Sequence, residues 1–276
     1  MSRPTISTQM RRRACALIAA AVVLASPLHA AEYRFMPEPT YTPAAAAEIY
    51  KPLLEYLSKT TGEKFVLVSA ANYSTYWRDI LKPDVTDFSY DEAQFADYRI
   101  QHSQFVPLVR RAQATSYTLL ANADFEGKSP RDLLGSRIST MPAPSLGYAL
   151  LMQIFSDPVQ QPEIKSGAAS WRDSLDILNG GEAEATIFPT WMLETYGNPG
   201  LATIFTSREF SGPAILAAPN VPEELRNKVR DALLNADGAP ELAELLLELG
   251  ITKLVPATAK DYAGDQQMLS GFYGYK

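Results

Sequence analysis

The residues best placed to hold a ligand form a strand-to-helix turn, Ser139-Thr140-Met141-Pro142-Ala143-Pro144-Ser145-Leu146-Gly147-Tyr148. Ile138 to Thr140 reads as the end of a strand, and Leu146, Leu150, Leu151, Ile154 and Phe155 recur at helical spacing. Ser145, directly after Pro144, is positioned to cap that helix. Such a turn aims unpaired backbone N–H groups and the positive end of the helix dipole at one point, which suits an anionic ligand. The same residues also fit an ordinary turn that binds nothing.

Patterns for other chemistry are missing. Once a leader is removed, the only histidine is His102, which reads as a residue at a helix end rather than a base. There is no nucleophile elbow with Ser-His-Asp ordering, no HExxH, no CxxC and no Gly-rich phosphate loop. No enzyme activity, cofactor or metal is expected.

The first thirty residues read as a targeting segment. Arg11-Arg12-Arg13 precede an apolar run from Ala14 to Ala25, and Leu28-His29-Ala30 offers a small-residue cleavage site. A run of that length falls short of the about 20 residues that span a bilayer, so export and cleavage near Ala30 are expected. The single cysteine, Cys15, lies inside this segment, which removes disulfides from consideration and leaves no lipid anchor at the cleavage point. Loss of Arg3, Arg11, Arg12 and Arg13 leaves 21 basic against 31 acidic residues, a net of −10. That surface repels nucleic acid. About 246 residues remain, enough for one large domain or two lobes with cores of their own.

Short strands and helices then alternate, which indicates a parallel sheet with crossover helices. Strands are expected at Glu32 to Met36, Phe65 to Val68, Asp87 to Tyr90, Gln104 to Arg110, Ser116 to Ala121, Arg137 to Thr140, Glu163 to Ser166, Glu184 to Phe188, Ala202 to Phe205 and Ala214 to Ala218. Thr42 caps a helix running from Pro43 to Gly62, with a kink or restart expected at Pro52. Asn72 to Trp77 opens a second helix, and Asp91 is expected to start a third. Ser170 with Asp173 makes a capping box closed by Gly180, and Pro222 and Pro240 each start a late helix.

Several of these segments carry a family resemblance. Ile49-Tyr50-Lys51-Pro52-Leu53-Leu54-Glu55-Tyr56-Leu57, Tyr73, Leu133 to Ile138 and Leu178 to Ala183 come first. Gly212-Pro213-Ala214-Ile215, Val221 to Arg226, Gly250, Leu254 to Thr258 and Tyr262 follow in order. In this arrangement the chain resembles the phosphonate-type periplasmic solute-binding proteins of ABC importers, over nearly its whole mature length. The resemblance implies the α/β type-II periplasmic binding-protein fold. Each of its two lobes would be a mixed sheet flanked by helices, and a hinge of two crossing segments would join them near Tyr117 to Ala121 and Ser211 to Leu216. Lobe one would comprise 31–118 and 214–276, and lobe two 119–213. Closure would bury a small molecule between helix N-termini. The implied partner is a membrane permease, or else a membrane sensor that reads the closed form, and a monomer is expected.

Within that frame the lobe-one candidates are Tyr41, Tyr73, Tyr76, Tyr90 and Asp91; tyrosines offer a phenol donor and a flat apolar face. Asp91 fits a ligand contact and a plain helix cap equally well. In lobe two the candidates are Thr140, Ser145 and Gly147, with Trp171 and Trp191 open to stacking or to core packing. The family commonly places a run of hydroxyls before the glycine that matches Gly147, and here Pro144-Ser145-Leu146 keeps only one. A tryptophan stands near the family's histidine at Trp171, and Phe188-Pro189 stands where a polar residue is usual. A buried dianion needs many donors. The expected ligand is therefore less anionic than phosphonate, or carries a flat or cationic part that stacks on Trp171 and Trp191.

Overall fold

The computed structural model describes residues 31–82, 84–197 and 200–275. The expected signal segment, 1–30, lies outside the described residues, together with its cleavage site.

Strand β1 (Glu32–Pro37) leads into α1 (Pro43–Thr61). Thr42 caps this helix by accepting a hydrogen bond from the Ala45 N–H, and Gly62 ends it with a left-handed φ of 81°. The helix runs through Pro52 as one element, without the restart expected there. The carbonyl that loses its partner belongs to Glu48, a solvent-exposed residue, so water can replace the missing donor. Next come β2 (Lys64–Leu67), α2 (Tyr73–Ile80), β3 (Phe88–Asp91), α3 (Ala93–Ser103) and β4 (Val106–Arg111). The middle of the chain supplies β5 (Tyr117–Asn122), β6 (Arg137–Ser139), α4 (Leu146–Ile154), β7 (Glu163–Lys165), α5 (Trp171–Asn179), β8 (Ala185–Pro189), the short α6 (Leu193–Tyr196) and β9 (Leu201–Thr206). It closes with β10 (Ala214–Ala217), α7 (Glu223–Leu234), α8 (Ala243–Glu248) and β11 (Leu254–Pro256). Pro240 starts a 3-10 turn that ends at Leu242, just ahead of α8.

Two mixed sheets result. The six-stranded sheet has the order β11-β4-β10-β3-β1-β2, with β1 parallel to both neighbours and β10 antiparallel to both of its own. The five-stranded sheet has the order β7-β6-β8-β5-β9. Each sheet with its helices forms one lobe. The chain passes between them through residues 112–116 and 207–213. These two connections touch at Thr115 and Phe210, each N–H donating to the other's carbonyl, at 2.9 and 2.7 Å. Tyr117 to Ala121, expected as one crossing, is instead strand β5, paired on both sides inside the five-stranded sheet, and Ala214 to Leu216 of the other expected crossing belong to β10.

Asp91 does not start a helix. It is the last residue of β3, paired with Ala214 of β10, and α3 begins at Ala93 with Glu92 in the cap position. The physical reason is that its carboxylate faces inward. Oδ2 lies 3.0 Å from Arg99 Nε, and the hydroxyls of Tyr76 and Ser89 also donate to it. A carboxylate held this way cannot turn back to the free N–H groups of α3.

Candidate functional site

Parallel strands that lie side by side bring their following residues together at one sheet end, where α/β proteins commonly bind ligands. Here β1 and β3 are neighbours, and Glu38, just past β1, donates its N–H to the Tyr90 carbonyl at 3.1 Å. That junction forms one wall of a cleft of about 310 Å³. Glu38, Tyr41, Tyr50, Tyr90, Glu92, Arg111 and Glu248 line it from the six-stranded lobe; Ser170, Trp171, Arg172, Pro189, Trp191, Met192 and Tyr196 face them from the other.

Two carboxylates meet on the first wall. Glu38 is buried, accepting the Tyr73 hydroxyl at 2.9 Å on one oxygen and the Glu92 N–H on the other. Burial, reinforced by the charges of Glu92 and Asp91, pushes its carboxyl well above the usual range. Burial also raises Glu92, to about 7, against the pull of the Tyr117 hydroxyl and the Arg111 charge. The Tyr117 hydroxyl donates to Glu92, so a strand of the second sheet reaches across to the first. A carboxyl whose folded-state pKa is raised is stabilised in its protonated form. It contributes stability below its unfolded value, and that contribution is lost as pH rises through the folded one. The ligand-free protein is therefore expected to melt at progressively lower temperature from about pH 5 to pH 8, a trend that Glu92→Gln flattens. Thermal melts across that range check it.

Of the ten residues singled out in the sequence, Tyr41, Tyr90, Trp171 and Trp191 line the cleft. The Tyr41 hydroxyl donates to Glu248 at 3.0 Å, and burial raises the Tyr90 phenol. Trp191 reaches the opposite lobe: a Cβ on Gly250 would stand 2.6 Å from its ring. Gly250 has φ +61°, so both its backbone and its bare Cα suit that contact.

Tyr73, Tyr76 and Asp91 are fully buried behind the first wall, where Tyr73 holds Glu38 and Tyr76 holds Asp91. Thr140, Ser145 and Gly147 lie at the start of α4, and the Trp171 ring packs against Gly147. A Cβ on Gly147 would sit 2.9 Å from the indole and 3.3 Å from Thr140 Oγ1. Ser145 caps α4 by accepting the Tyr148 N–H at 3.3 Å, and its hydroxyl donates to the Met141 carbonyl. The hydroxyls of Ser139 and Thr140 are buried with no hydrogen-bond partner. The tip of α4 is thus covered by an indole.

Glu38, Glu92, Arg111 and Glu248 were not singled out from sequence. A usable signal existed for the first two, since each follows a parallel strand directly. Among the described residues no group of three or more His, Cys, Asp or Glu side chains could hold a metal ion, and no helix is long and apolar enough to cross a membrane.

Two α/β lobes joined by a pair of connections, with a lined cleft, define a type-II periplasmic binding protein. Solved structures share this fold. PhnD1 from Prochlorococcus marinus, in complex with methylphosphonate, aligns with a TM-score of 0.74 at 12% identity, covering 87% of this chain and 97% of that one. A binding component of an ABC phosphonate transporter from Pseudomonas aeruginosa gives 0.69 at 17%, covering 87% and 85%. A Xanthomonas citri protein bound to ATP gives 0.68 at 13%, covering 88% and 97%. The comparison with curated proteins returns no match. The family model described as ABC transporter, phosphonate, periplasmic substrate-binding protein matches residues 35–262. The chain belongs to that family, whose members are periplasmic and work with a small-molecule ligand and a membrane permease.

Proposed function

We propose that the mature chain, cleaved near Ala30, captures a small organic solute by closing its two lobes about connections 112–116 and 207–213. The solute is less anionic than phosphonate and lays a flat or cationic part against Trp171 and Trp191. The observation that carries this reading is the position of Trp171 on the tip of α4, where a Cβ on Gly147 would already be too close to the indole. An oxyanion at that helix end would compete with the ring for the same space. The opposite wall supports the same conclusion, because it presents aromatic faces and two raised carboxylates. A dianion there would meet a single guanidinium, Arg111, beside a Glu92 carboxylate whose ionised form repels it.

Purified mature protein titrated with phosphate, methylphosphonate and a panel of amines and aromatic solutes tests this through tryptophan fluorescence. Micromolar responses are expected among the organic solutes, with none below millimolar for the two oxyanions. Tight methylphosphonate binding overturns the ligand reading. Solution scattering that detects no compaction with any bound solute overturns the clamp.

A further inference from the structure

Two opposite charges in the cleft are only partly satisfied by the protein. Arg111 is only 1% exposed; its Nη2 donates to the Thr115 hydroxyl and its guanidinium lies 5.5 Å from the centre of a Trp191 ring. Its Nε has no hydrogen-bond partner, and among the described residues it forms no ion pair. Glu92 accepts the Tyr117 hydroxyl on one carboxylate oxygen, and its other oxygen is buried with no hydrogen bond formed. The Gln94 amide that lies near enough to stabilise its charge is itself unpartnered. Both residues line the same cleft, and the Arg111 charge is felt at Glu92, yet no salt bridge joins them. Buried charged groups left short of partners are costly, so such a pair points to a ligand that completes both.

Charge balance narrows what that ligand is. Glu38, beside Glu92, is held toward its neutral form by burial and by its neighbours' charges. With Glu38 neutral, ionised Glu92 and Arg111 cancel. A purely cationic solute would leave the closed cleft with a net positive charge, and a purely anionic one with a net negative charge. A dipolar solute leaves it neutral while giving a donor to Glu92 and an acceptor to Arg111.

We propose that the solute is a zwitterion, with its protonated nitrogen received by Glu92, its carboxylate by Arg111, and its apolar body lying against Tyr41 and Trp191. This deepens the reading of the cleft as a solute site and rests on it. The charged and titratable groups facing Glu92 are Glu38, Tyr73, Tyr90, Tyr117 and Arg111. The four besides Arg111 are each shifted toward their neutral forms, and Glu38 and Glu92 interact, so the pH dependence near neutrality belongs to that carboxyl pair.

The test uses matched sets on a shared body, followed by calorimetry: phenylalanine, phenylalaninamide and 3-phenylpropionate, then leucine, leucinamide and 4-methylpentanoate. Native mass spectrometry of protein taken from the periplasm runs alongside. The zwitterion of at least one set is expected to bind about 30-fold or more tighter than either singly charged analogue. Its affinity should rise about tenfold from pH 6 to pH 8 as Glu92 ionises. Glu92→Gln should bring the zwitterion and the acid within about threefold and abolish the pH slope; Arg111→Met should do the same for the zwitterion and the amide. The wild-type pH slope needs no variant, and melts of both variants confirm folding. A singly charged analogue that binds as tightly as its zwitterion, or a Glu92→Gln protein with unchanged selectivity, overturns the inference and leaves the cleft reading standing. If no member of any set binds and no small molecule is retained, both fall.

Discussion

Replacing Arg99 by methionine is expected to lower the melting temperature by about 6–20 °C, the equivalent of about 3–5 kcal/mol in a chain of this size. Arg99 and Asp91 are both buried, with Nε 3.0 Å from Oδ2, and the guanidinium lies 5.0 Å from the Phe105 ring centre and 5.7 Å from that of Tyr76. Methionine roughly matches the apolar stem, so packing is largely kept while the charge is lost. The Asp91 carboxylate then keeps only the Tyr76 and Ser89 hydroxyls, with no opposite charge in a site closed to water. An uncompensated buried charge dominates every smaller effect here. Changing Asp91→Leu together with Arg99→Met removes both charges and should restore most of the loss, since a buried pair is often replaceable when neither partner is stranded. Differential scanning calorimetry of the single and double variants checks this. A single variant within about 2 °C of wild type would show that the pair stabilises nothing.

That ion pair also shows where sequence runs out. Helix ends were legible because caps are local: Thr42, Asn72, Ser145 and Ser170 each act on an N–H three residues along. Strand positions were legible from short apolar runs, and the two-lobe fold from the order of family segments. Asp91 was misplaced because its local pattern, acid before helix, is that of a cap, while its actual partners come from three elements. The cleft suffered in the same way. Glu38 and Glu92 are 54 residues apart and meet because β1 pairs with β3, while Trp191 meets Gly250 from the other lobe. No spacing rule within one segment carries such contacts. Trp171 was visible as a candidate, but the role of Gly147 as the floor beneath its ring depends on how α4 and α5 are set beside each other.

Trp171→Ala is expected to weaken binding of the native solute about 30- to 1,000-fold, the loss that accompanies removal of a large aromatic anchor. The same change should produce a response to inorganic phosphate and methylphosphonate that the wild type lacks. Trp171 is the first residue of α5, held by the Ser170 cap that accepts the Asp173 N–H at 3.0 Å. Its ring meets Tyr117 edge-on at 5.4 Å between centroids and covers Gly147. Truncation to alanine removes the stacking face and uncovers Gly147 in the first turn of α4, where the neighbouring Thr140 hydroxyl has no partner and a helix start offers unpaired N–H groups. A small oxyanion then has donors and room that the indole denied it. Gly147→Ala serves as a complementary probe, since its methyl group would press the ring at 2.9 Å and disturb solute binding without opening the helix tip. Calorimetry with methylphosphonate distinguishes the two variants: the first should gain a measurable heat of binding, the second should not. Unchanged solute affinity in Trp171→Ala, with no new oxyanion response, would mean that the indole only fills the interior and that the selectivity of the cleft is set on the Glu92 and Arg111 side alone.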